Sequence, residues 1–425
     1  MNSSSVRRIV CFGPGPMFKG GISNYNTSLA RALDALPNTE VHIVSWTQQY
    51  PAIIPRDFID RKSTTSLLEG TDIRVHYITN YNNPLTWRET ASLINNLQPD
   101  QVIFQWAIAL QGLPLGWIAR KLKKICAAEI IFDCHLVVQK EGSALDKRFT
   151  RYGLNVADTY VVHAMKTADE LKALFPEKVL HLTEDGKRKG ISMIKLYHPV
   201  YDMFRERDDF DVAKAKADMG LNTHVFLFFG FIRKYKGLHH VIEAFAEALK
   251  VRQDISLLIV GESFWNTLDT QKFSTRMKRT LFGFAKQIFL KQQDDEQDYN
   301  PLALIDTLGI QPYVKVYNDF VPNEDVYRYF QVSDNLMLYY LTATPSGVES
   351  IGYNFKMPVL ATRVGHFPET VIDGYNGYLA NPNDIQDMAS VMLKSISHPI
   401  DRSHIAETAA KFSWLAYAQA ILNKS

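Results

Sequence analysis

Two cations that could bind a phosphate group, Arg233 and Lys236, follow the apolar run "VFLFF", which ends at Gly230. The sequence predicts a buried strand, a glycine turn and then a helix that begins near Gly237. A helix N-terminus and fixed positive charges both favour a bound anion, and a glycine turn lets backbone N–H groups approach it. We therefore predict a diphosphate site here, with the alternative that both cations are merely solvated at a strand end.

A second glycine turn, at Gly20 and Gly21, follows the first strand-like run of the chain, "RRIVCFG". We predict that a helix begins at about Ser23, so this turn also lies where a backbone can approach a ligand closely. A plain tight turn would have the same sequence. His135 directly follows the run "EIIFDC" and is predicted to lie at the same rim, although a lone histidine is often structural.

The elements that would position these residues alternate along the whole chain. Short runs rich in Val, Ile and Phe are separated by helical patterns in both halves. They include "EVHIVSW", "DQVIFQW", "EIIFDCH" and "TYVVH" in the first half and "SLLIVGE", "VKVYNDF", "NLMLYY", "PVLAT" and "GYLA" in the second. This pattern indicates parallel sheets with helices on both faces. We predict an α/β protein of two doubly wound parallel-sheet (Rossmann-like) domains with a cleft between them.

The boundary between these domains is predicted near residue 200, where His198-Pro199 ends a strand-like run and a charged stretch follows. A proline after a strand, followed by charged residues, is typical of a linker. This gives an N-terminal domain at residues 1–200 and a C-terminal domain at 201–404. The last helical pattern, at about 405–425, is expected to pack back on the first domain.

Composition places the chain among ordinary globular proteins, with 46% hydrophobic and 22% charged residues over 425 positions. A formal net charge of +2 gives no general argument for a nucleic acid partner. Cys11, Cys126 and Cys134 show neither metal-ligand nor disulfide spacing, which fits a reducing cytosol. No signal peptide is evident, and no apolar run approaches the ~18–20 residues of a membrane span. We therefore expect a cytoplasmic protein.

A basic amphipathic insertion at about 266–298 interrupts the alternation in the second half. Its apolar side chains fall at helical spacing, at Phe273, Met277, Leu281, Phe284 and Ile288. Six cations accompany them without an intervening acid, at Lys272, Arg276, Lys278, Arg279, Lys286 and Lys291. Such a segment either packs on its own domain or docks on an anionic membrane surface, and the run "GWIARKLKK" in the first half could assist the docking.

The stretch from Thr342 to Thr362, "TATPSGVESIGYNFKMPVLAT", is predicted to form a glycine loop, a helix and a buried strand. Ser346, Gly347 and Val348 would stand at the start of this helix, again beyond the end of a strand, where backbone groups can meet a ligand. Glu349 follows them in the first helical turn. It is either an exposed helical acid or a contact with a bound ribose or sugar.

Taken together, these motifs resemble the retaining glycosyltransferases of family 4, which have the GT-B fold. "FFGFIRKYKGL" is similar to that family's strand followed by Arg and Lys-Gly, and "LLIVGE" is similar to its strand ending in Gly-Glu. "LMLYYLTATPSGVESIGYNFKMPVLATRVGHFPE" resembles the loop of a bacterial subgroup, and "CHLVVQKE" resembles a histidine loop of the first domain. The resemblance covers nearly the whole chain and rests on the order and spacing of these motifs.

The resemblance implies an enzyme that moves a sugar from a UDP- or GDP-sugar donor to a glycan or lipid-linked acceptor, with retention at the anomeric carbon, in bacterial surface polysaccharide assembly. No cofactor and no metal ion are expected, because paired cations would neutralise the leaving diphosphate. Catalytic roles are implied for Arg233, Lys236 and His135, the last facing the donor sugar. Donor contacts are implied for Gly20, Gly21, Gly230, Glu262, Tyr340, Ser346, Gly347, Val348 and Glu349.

Several positions depart from the family pattern. The widespread Glu-x7-Glu signature is absent, since its positions fall at Ala343 and Ile351, although the bacterial subgroup also has apolar residues there. Leu341 replaces an Arg, Pro345 a Gln and His366 a Gly. The altered loop leaves open a degenerate GT-B protein that acts as a binding or scaffold partner without catalysis. Another GT-B enzyme, such as a sugar-nucleotide epimerase, would need an acid–base pair that the sequence does not reveal.

Overall fold

The computed structural model describes residues 6–51, 58–63, 67–137, 144–263, 299–343, 345 and 347–423. Ser346 and the predicted insertion at 266–298 therefore lie outside the described residues. Within them the chain forms two parallel β-sheets, one from each half of the sequence, with helices around each. None of the helices in these ranges has both the length and the apolar character needed to cross a membrane.

Eight strands build the first sheet in the described part of the chain, and all neighbours pair in parallel. They are β1 Arg7–Phe12, β2 Thr39–Gln48, β3 Arg74–Asn80, β4 Gln101–Trp106, β5 Glu129–Cys134, β6 Thr159–Val162, β7 Leu180–Thr183 and β8 Ile191–Lys195. Their order across the sheet is β3-β2-β1-β4-β5-β6-β8-β7. The central strand β4 is buried along its whole length, as expected of a sheet covered on both faces.

Six further strands build the second sheet within the described residues, again with parallel pairing. They are β9 His224–Phe229, β10 Ile255–Val260, β11 Val314–Tyr317, β12 Asn335–Leu338, β13 Val359–Thr362 and β14 Gly377–Ala380. Their order is β11-β10-β9-β12-β13-β14, so the winding direction reverses between β9 and β12. In such sheets, ligands bind beyond the carboxyl ends of the strands at this reversal.

Helices connect the strands and cover the sheets. Those of the first half are α1 Gly21–Asp34, α2 Pro84–Asn96, α3 Gly112–Ile125, α4 Ala144–Leu154 and α5 Met165–Leu174. Those of the second half are α6 Val212–Asp218, α7 Leu238–Leu249, α8 Ala303–Thr307, α9 Val326–Gln331, α10 Gly347–Asn354, α11 Phe367–Thr370, α12 Ile385–Ser397, α13 Arg402–Lys411 and α14 Trp414–Leu422. Side-chain oxygens cap the N-termini of five of these described helices, from Asn83, Asp211, Asp384, Asp401 and Ser413.

The last helix, α14, packs against α1 of the first half. Trp414 and Tyr417 are buried, and the Tyr25 hydroxyl of α1 donates a 2.6 Å hydrogen bond to the Tyr417 hydroxyl. Tyr417 in turn donates to the buried Asp133 carboxylate at 3.3 Å. The end of the described chain is therefore fixed on the first sheet by polar bonds as well as by apolar packing.

The strand-like runs identified in the sequence all correspond to strands, but two strands were missed. The run "RVHYITN" of β3 mixes polar and apolar residues without strict alternation, and its pairing with β2 is irregular. The short β7 lies at the sheet edge and is only partly buried. Helix α1 begins two residues earlier than predicted, because Gly20, with a φ angle of 103°, makes the turn immediately before it.

Replacing Tyr417 with Phe is expected to lower the free energy of unfolding by about 1–3 kcal/mol, because a buried carboxylate and a buried hydroxyl each lose a partner. Urea denaturation followed by fluorescence measures this change. Leu415→Ala is the matched control, since Leu415 lies in the same helix and is 51% exposed. If both variants unfold at the wild-type urea concentration, the polar attachment of α14 contributes nothing.

Candidate active site

A cavity of about 300 Å³ lies between the two halves, at the carboxyl ends of the strands of the second sheet. The first sheet's side contributes Phe18, Gly20, Gly21, Asn24 and Asp60, and the linker contributes Tyr201 and Phe204. The second half contributes Phe229, Gly230, Phe231, Tyr235, Lys236, Val260, Gly261, Glu262, Asp319, Phe320, Val321, Asn323, Val326, Tyr340, Pro345, Gly347, Val348 and Ile351. Its size and place are those of a small-molecule site in a parallel α/β protein.

Two glycine turns let the backbone of the second half form part of the cavity wall. Gly230 and Gly261 follow β9 and β10 with φ angles of 93° and 148°. A Cβ atom on Gly261 would lie 2.1 Å from the Gly230 carbonyl oxygen, so the two turns touch through their backbones. Positive φ angles and this close approach both require glycine. The strand ends therefore present backbone, rather than side chains, to whatever occupies the cavity.

The Lys236 side chain is buried against one of these turns. Its Nζ atom is 2.9 Å from the position that a Cβ atom of Gly230 would occupy, and 5.8 Å from the centre of the Tyr340 ring. Burial and, to a smaller extent, the Arg233 charge lower the pKa of Lys236 to about 7. A buried ammonium group beside a second cation is destabilised until an anion joins it. This is the electrostatic environment expected of a diphosphate site.

Arg233 stands at the other end of the same short turn. It precedes the 3-10 helix Lys234–Lys236 in an extended conformation, and its guanidinium carbon lies 5.5 Å from the centre of the Tyr235 ring. Arg233 is half-buried and is not part of the cavity wall. The turn thus brings the two predicted cations together, with Lys236 on the wall and Arg233 behind it.

Tyr201, in the linker, connects the glycine turn of the first half to the start of α10. Its hydroxyl donates a 2.9 Å hydrogen bond to the Gly21 carbonyl oxygen. A Cβ atom on Gly347 would lie 2.7 Å from Tyr201 Cε2, so the ring occupies the space that a side chain at Gly347 would need. Tyr201 thereby fixes the separation of two backbone segments on opposite sides of the cavity.

Polar contacts also join the two rims of the cleft. The Lys62 amine lies 2.6 Å from the Asp319 carboxylate, and the Asn24 side chain donates to the Asn323 side chain at 3.3 Å. The cleft is therefore closed on this side. The Lys62 and Asp319 side chains are 46% and 73% exposed, so their ion pair adds little stability and can break at small cost.

His135 lies behind the cavity wall, in a buried polar network of the first half. Its Nε2 atom is 2.7 Å from the Gln105 amide oxygen, and its ring packs edge-on against Tyr25 with centroids 4.5 Å apart. Burial lowers the pKa of His135 to about 4, so the ring is neutral at physiological pH. His135 is not among the residues that line the cavity, and the role predicted for it against the donor sugar stays a prediction.

The same network holds a buried acid–histidine pair. Asp133 Oδ1 lies 2.8 Å from His163 Nε2, and neither side chain is exposed. Burial alone would raise the pKa of Asp133, but the facing His163 ring lowers it below its ordinary value. Ligand atoms of Asp133, His135 and His163 lie within 4.8 Å of one another, a group that the sequence did not reveal. Hydrogen bonds to one another, to Gln105 and to Tyr417 engage all three, which ties neighbouring strands to α14.

Glu349 is buried, not exposed, and its carboxylate is not part of the cavity wall. One carboxylate oxygen lies 2.6 Å from His366 Nε2, and the other accepts a 2.5 Å hydrogen bond from the Thr370 hydroxyl. The interpretation of Glu349 as an exposed helical acid is therefore wrong, whereas a direct ribose or sugar contact stays a prediction. Glu349 is bonded to His366, which stands where the family pattern has a Gly.

The structure gathers most of the predicted site residues around one cavity. Those on its wall are Gly20, Gly21, Gly230, Lys236, Glu262, Tyr340, Gly347 and Val348. Arg233, His135 and Glu349 lie behind the wall, and Ser346 is outside the described residues. The chemical roles of all these residues remain predictions.

Several cavity residues were missed by the sequence analysis. Asp319 and Phe320 directly follow β11, so the rule that ligands bind beyond strand ends would have found them from the run "VKVYNDF". Asn24 stands in the first turn of α1, next to the predicted glycine turn. Asp60 and Tyr201 belong to no helix or strand, and no local pattern indicates that the fold brings them to the cleft.

Comparison with known proteins gives matches in both sequence and structure. Residues 209–412 match the family Glycosyl transferases group 1. A D-inositol 3-phosphate glycosyltransferase from Corynebacterium aurimucosum is 27% identical over 238 residues, which are 54% of this chain and 48% of that protein. Across the curated relatives the match spans from 19% to 62% of their own length, so the chain covers less than two thirds of each.

Solved structures match over nearly the whole chain. Anabaena Alr3699/HepE in complex with UDP and glucose has a TM-score of 0.65 at 15% identity, with 98% of both chains covered. The lipopolysaccharide outer core galactosyltransferase WaaB has a TM-score of 0.60 at 14% identity, with 97% of both chains covered. At these identities the likeness shows the fold alone. The predicted fold class is thereby confirmed: the chain has the GT-B fold, and the group 1 domain at residues 209–412 supports a GT-B glycosyltransferase.

Proposed function

We propose that this protein transfers a sugar from a nucleoside diphosphate sugar to a hydroxyl group of a glycan or lipid-linked acceptor, with retention at the anomeric carbon. The observation that carries the proposal is the buried Lys236 amine in a cavity walled by glycine turns from both halves. A fixed cation and strand-end backbone groups suit a dianionic leaving group, and they can stabilise it without a metal ion.

A UDP-sugar is the donor we favour, with a GDP-sugar as the alternative. The Anabaena protein of the same fold has been crystallised with UDP and with UDP-glucose. In this chain the cavity wall includes Phe320, Val321 and Val326, apolar groups that suit a nucleobase. It also includes Glu262, whose carboxylate can accept hydrogen bonds from ribose hydroxyl groups.

In the proposed reaction the bond between the anomeric carbon and the diphosphate oxygen breaks, and its electron pair stays with the leaving nucleoside diphosphate. The acceptor hydroxyl oxygen bonds to the same face of the sugar, and its proton passes to the leaving phosphate oxygen. Lys236, with Arg233 behind it, stabilises the charge that develops on the diphosphate. Gly20 and Gly21 bring the backbone of the first half close to the sugar. His135 supports this side indirectly, through its packing on Tyr25.

The proposed acceptor class rests on analogy. Three curated relatives are named for D-inositol 3-phosphate and one structural neighbour for the lipopolysaccharide outer core. We propose a glycan or a lipid-linked glycan of bacterial surface polysaccharide assembly, with the enzyme in the cytoplasm at the inner face of the plasma membrane. The alternative is a scaffold protein that retains the cavity without catalysis. Release of UDP or GDP from a nucleotide sugar, with or without an acceptor, distinguishes the enzyme from the scaffold.

Replacing Lys236 or Arg233 with Ala should weaken UDP or GDP binding by about 10- to 100-fold, since a hydrogen bond to a charged group contributes ~1.5–3 kcal/mol. Isothermal titration calorimetry measures the affinities. Lys234→Ala is the matched control, because Lys234 is a third cation of the same turn for which no donor contact is predicted. Unchanged affinity in both single variants would refute these two assignments, whereas a wild-type protein that binds neither nucleotide would refute the donor site as a whole.

Nucleotide binding should also take up a proton above neutral pH. Free Lys236, with its pKa near 7, is largely neutral at higher pH, and a bound diphosphate favours the ammonium form and raises that pKa. Affinity should therefore fall as pH rises beyond about 7.5, a range in which a terminal phosphate with a second pKa of about 6 is already fully ionised.

Calorimetry in buffers of different ionisation enthalpy measures the proton uptake directly. Lys236→Arg is the control, since a guanidinium stays charged throughout this range and should remove the uptake. Equal proton uptake by wild type and Lys236→Arg would show that another group titrates.

We propose that helix α3 of the first half contacts the membrane surface. The segment 272–291, which was predicted to do so, lies outside the described residues. Lys123 and Lys124 on α3 are exposed, and Lys121 is half-buried. Leu113 and Ile125, at the two ends of the same helix, are 39% and 40% exposed. Basic residues beside exposed apolar ones are typical of a surface that meets anionic lipid.

Changing Lys121 and Lys124 to Glu should reduce flotation with anionic liposomes, because each basic residue near such a surface contributes about 1 kcal/mol. Neutral liposomes should bind neither protein. A variant with the same charge change on the second half, Lys250→Glu with Lys411→Glu, is the matched control and should float like wild type. If wild type does not float, or if both variants float equally, this membrane surface is wrong.

A further inference from the structure

Glu349 and His366, neither of which lines the cavity, meet in the structure. Their side chains are joined by a 2.6 Å contact between a carboxylate oxygen and His366 Nε2. Glu349 is 5% exposed and His366 is 2% exposed, so the contact is sealed from solvent. A carboxylate in such a place is stable only with bonded partners, and Thr370 supplies the second one at 2.5 Å.

We propose that the Glu349–His366 pair is a positioning device that holds the described residues of the donor loop (341–343, 345, 347 and 348) in the shape that receives the diphosphate sugar. The proposal rests on the proposed function and assigns a task to two residues that do not line the cavity. It makes them positioning residues, because they would act through the backbone of the loop and not by touching the donor.

Glu349 fixes the C-terminal end of the donor loop. Gly347 and Val348 line the cavity at the start of α10, and Glu349 follows them directly in the first turn of that helix. A carboxylate in the first turn also favours the helix, because it faces the positive end of the helix dipole. Fixing the Glu349 side chain therefore fixes the direction in which the first turn of α10 meets the cavity.

His366, the other member of the pair, fixes the N-terminal part of the same loop. His366 follows Gly365, whose φ angle is 58° and whose missing Cβ atom would lie 2.0 Å from the Ala343 carbonyl oxygen. The turn after β13 is thus packed directly on the loop backbone. Thr362, at the end of β13, adds a 2.6 Å hydrogen bond to the Tyr340 carbonyl oxygen. The Glu349–His366 contact therefore joins the two segments that flank the donor loop, and the loop lies between them.

These contacts continue to the linker between the halves. Ser350, the next residue of α10, places its hydroxyl 2.9 Å from His198 Nδ1. A small cavity of about 10 Å³ is lined by His198, Glu349, Ser350 and His366, and Pro345 lines both this cavity and the large one. Pro345 therefore lies between the pair and the proposed donor site. A displacement of the pair would be transmitted to the cavity wall through Pro345 and Gly347.

Single replacements test the device. Glu349→Ala or His366→Ala should lower kcat/KM for the donor on the order of 10²-fold, the cost of a misplacement of about 1 Å in a preorganised site. The loss should appear mainly in the donor KM and in UDP-sugar affinity. Affinity for the nucleoside monophosphate should change little, because UMP or GMP lacks the groups that the loop receives. Glu349→Gln keeps the hydrogen-bonding shape and should recover most of the affinity for the donor.

A destabilised fold is separated from a misplaced loop by a matched control. Phe355→Leu alters a buried residue just after α10 that stacks on Phe330 with centroids 5.0 Å apart. It should lower the thermal midpoint as much as the test variants do, without the selective loss of UDP-sugar affinity. Where an Ala variant does not fold, Glu349→Leu and His366→Leu, which keep side-chain volume but remove the polar contact, supply the comparison through the same two affinities.

Each outcome bears on one statement. Selective loss of UDP-sugar affinity in the Glu349 and His366 variants, with UMP affinity kept, supports the positioning role. Equal loss of both affinities, or the same loss in Phe355→Leu, overturns it in favour of a purely structural pair. Wild-type affinities in every folded variant overturn it as well. A wild-type protein that binds no nucleotide refutes the proposed function instead, independently of the pair.

Discussion

The cleft depends on one constraint, which is that the positively charged Lys236 amine is buried away from water. The Lys236 amine fits only because Gly230 has no side chain. The carbonyl group of Gly230 in turn packs against Gly261. Gly237, with a φ angle of 65°, ends the short turn, and a side chain there would meet the Tyr339 carbonyl oxygen at 2.0 Å. Three positions that require glycine thus support one buried cation. A core designed for stability alone would not contain the charge, and such a local conflict is the usual sign of a functional site.

A polar seam between the halves sets the orientation of this cleft. Ser350 with His198 and Asn323 with Asn24 are part-buried pairs across this seam whose atoms must meet within hydrogen-bond distance. An apolar interface of the same area would let the two halves slide past each other, because dispersion contacts have no preferred direction. Sliding across a polar interface would leave buried polar groups unpaired, which costs free energy. Tyr201 lies along the same seam and spans from Gly21 to Gly347. The seam therefore favours one relation between the two walls of the cavity.

The sequence predicted what local pattern can encode and missed what only tertiary contact creates. Gly230 and Lys236 were found because a strand, a glycine turn and a helix follow one another within a few residues. Tyr201 and Asp60 were missed because they reach the cleft from irregular segments. His135 was placed on the cavity wall because it follows a strand, but its ring turns into the core toward Gln105. A strand end fixes where the backbone lies and not which way the next side chain points.

The altered loop also bears on whether catalysis has been lost. A buried Glu349 without His366 would leave a desolvated carboxylate short of a partner, which costs about 3–5 kcal/mol when one member of a buried pair is removed. The two unusual residues are therefore acceptable together and costly apart. Loss of function by unconstrained change would leave the Glu349 carboxylate unpaired or the cavity beside this loop collapsed. One buried atom of the pair, His366 Nδ1, has no hydrogen-bond partner among the described residues. In the described residues, both oxygens of the Glu349 carboxylate are bonded and the cavity beside the loop remains open at about 300 Å³. A loop that differs from the family pattern yet keeps its buried charge paired and its cavity intact favours an altered working site over a decayed one.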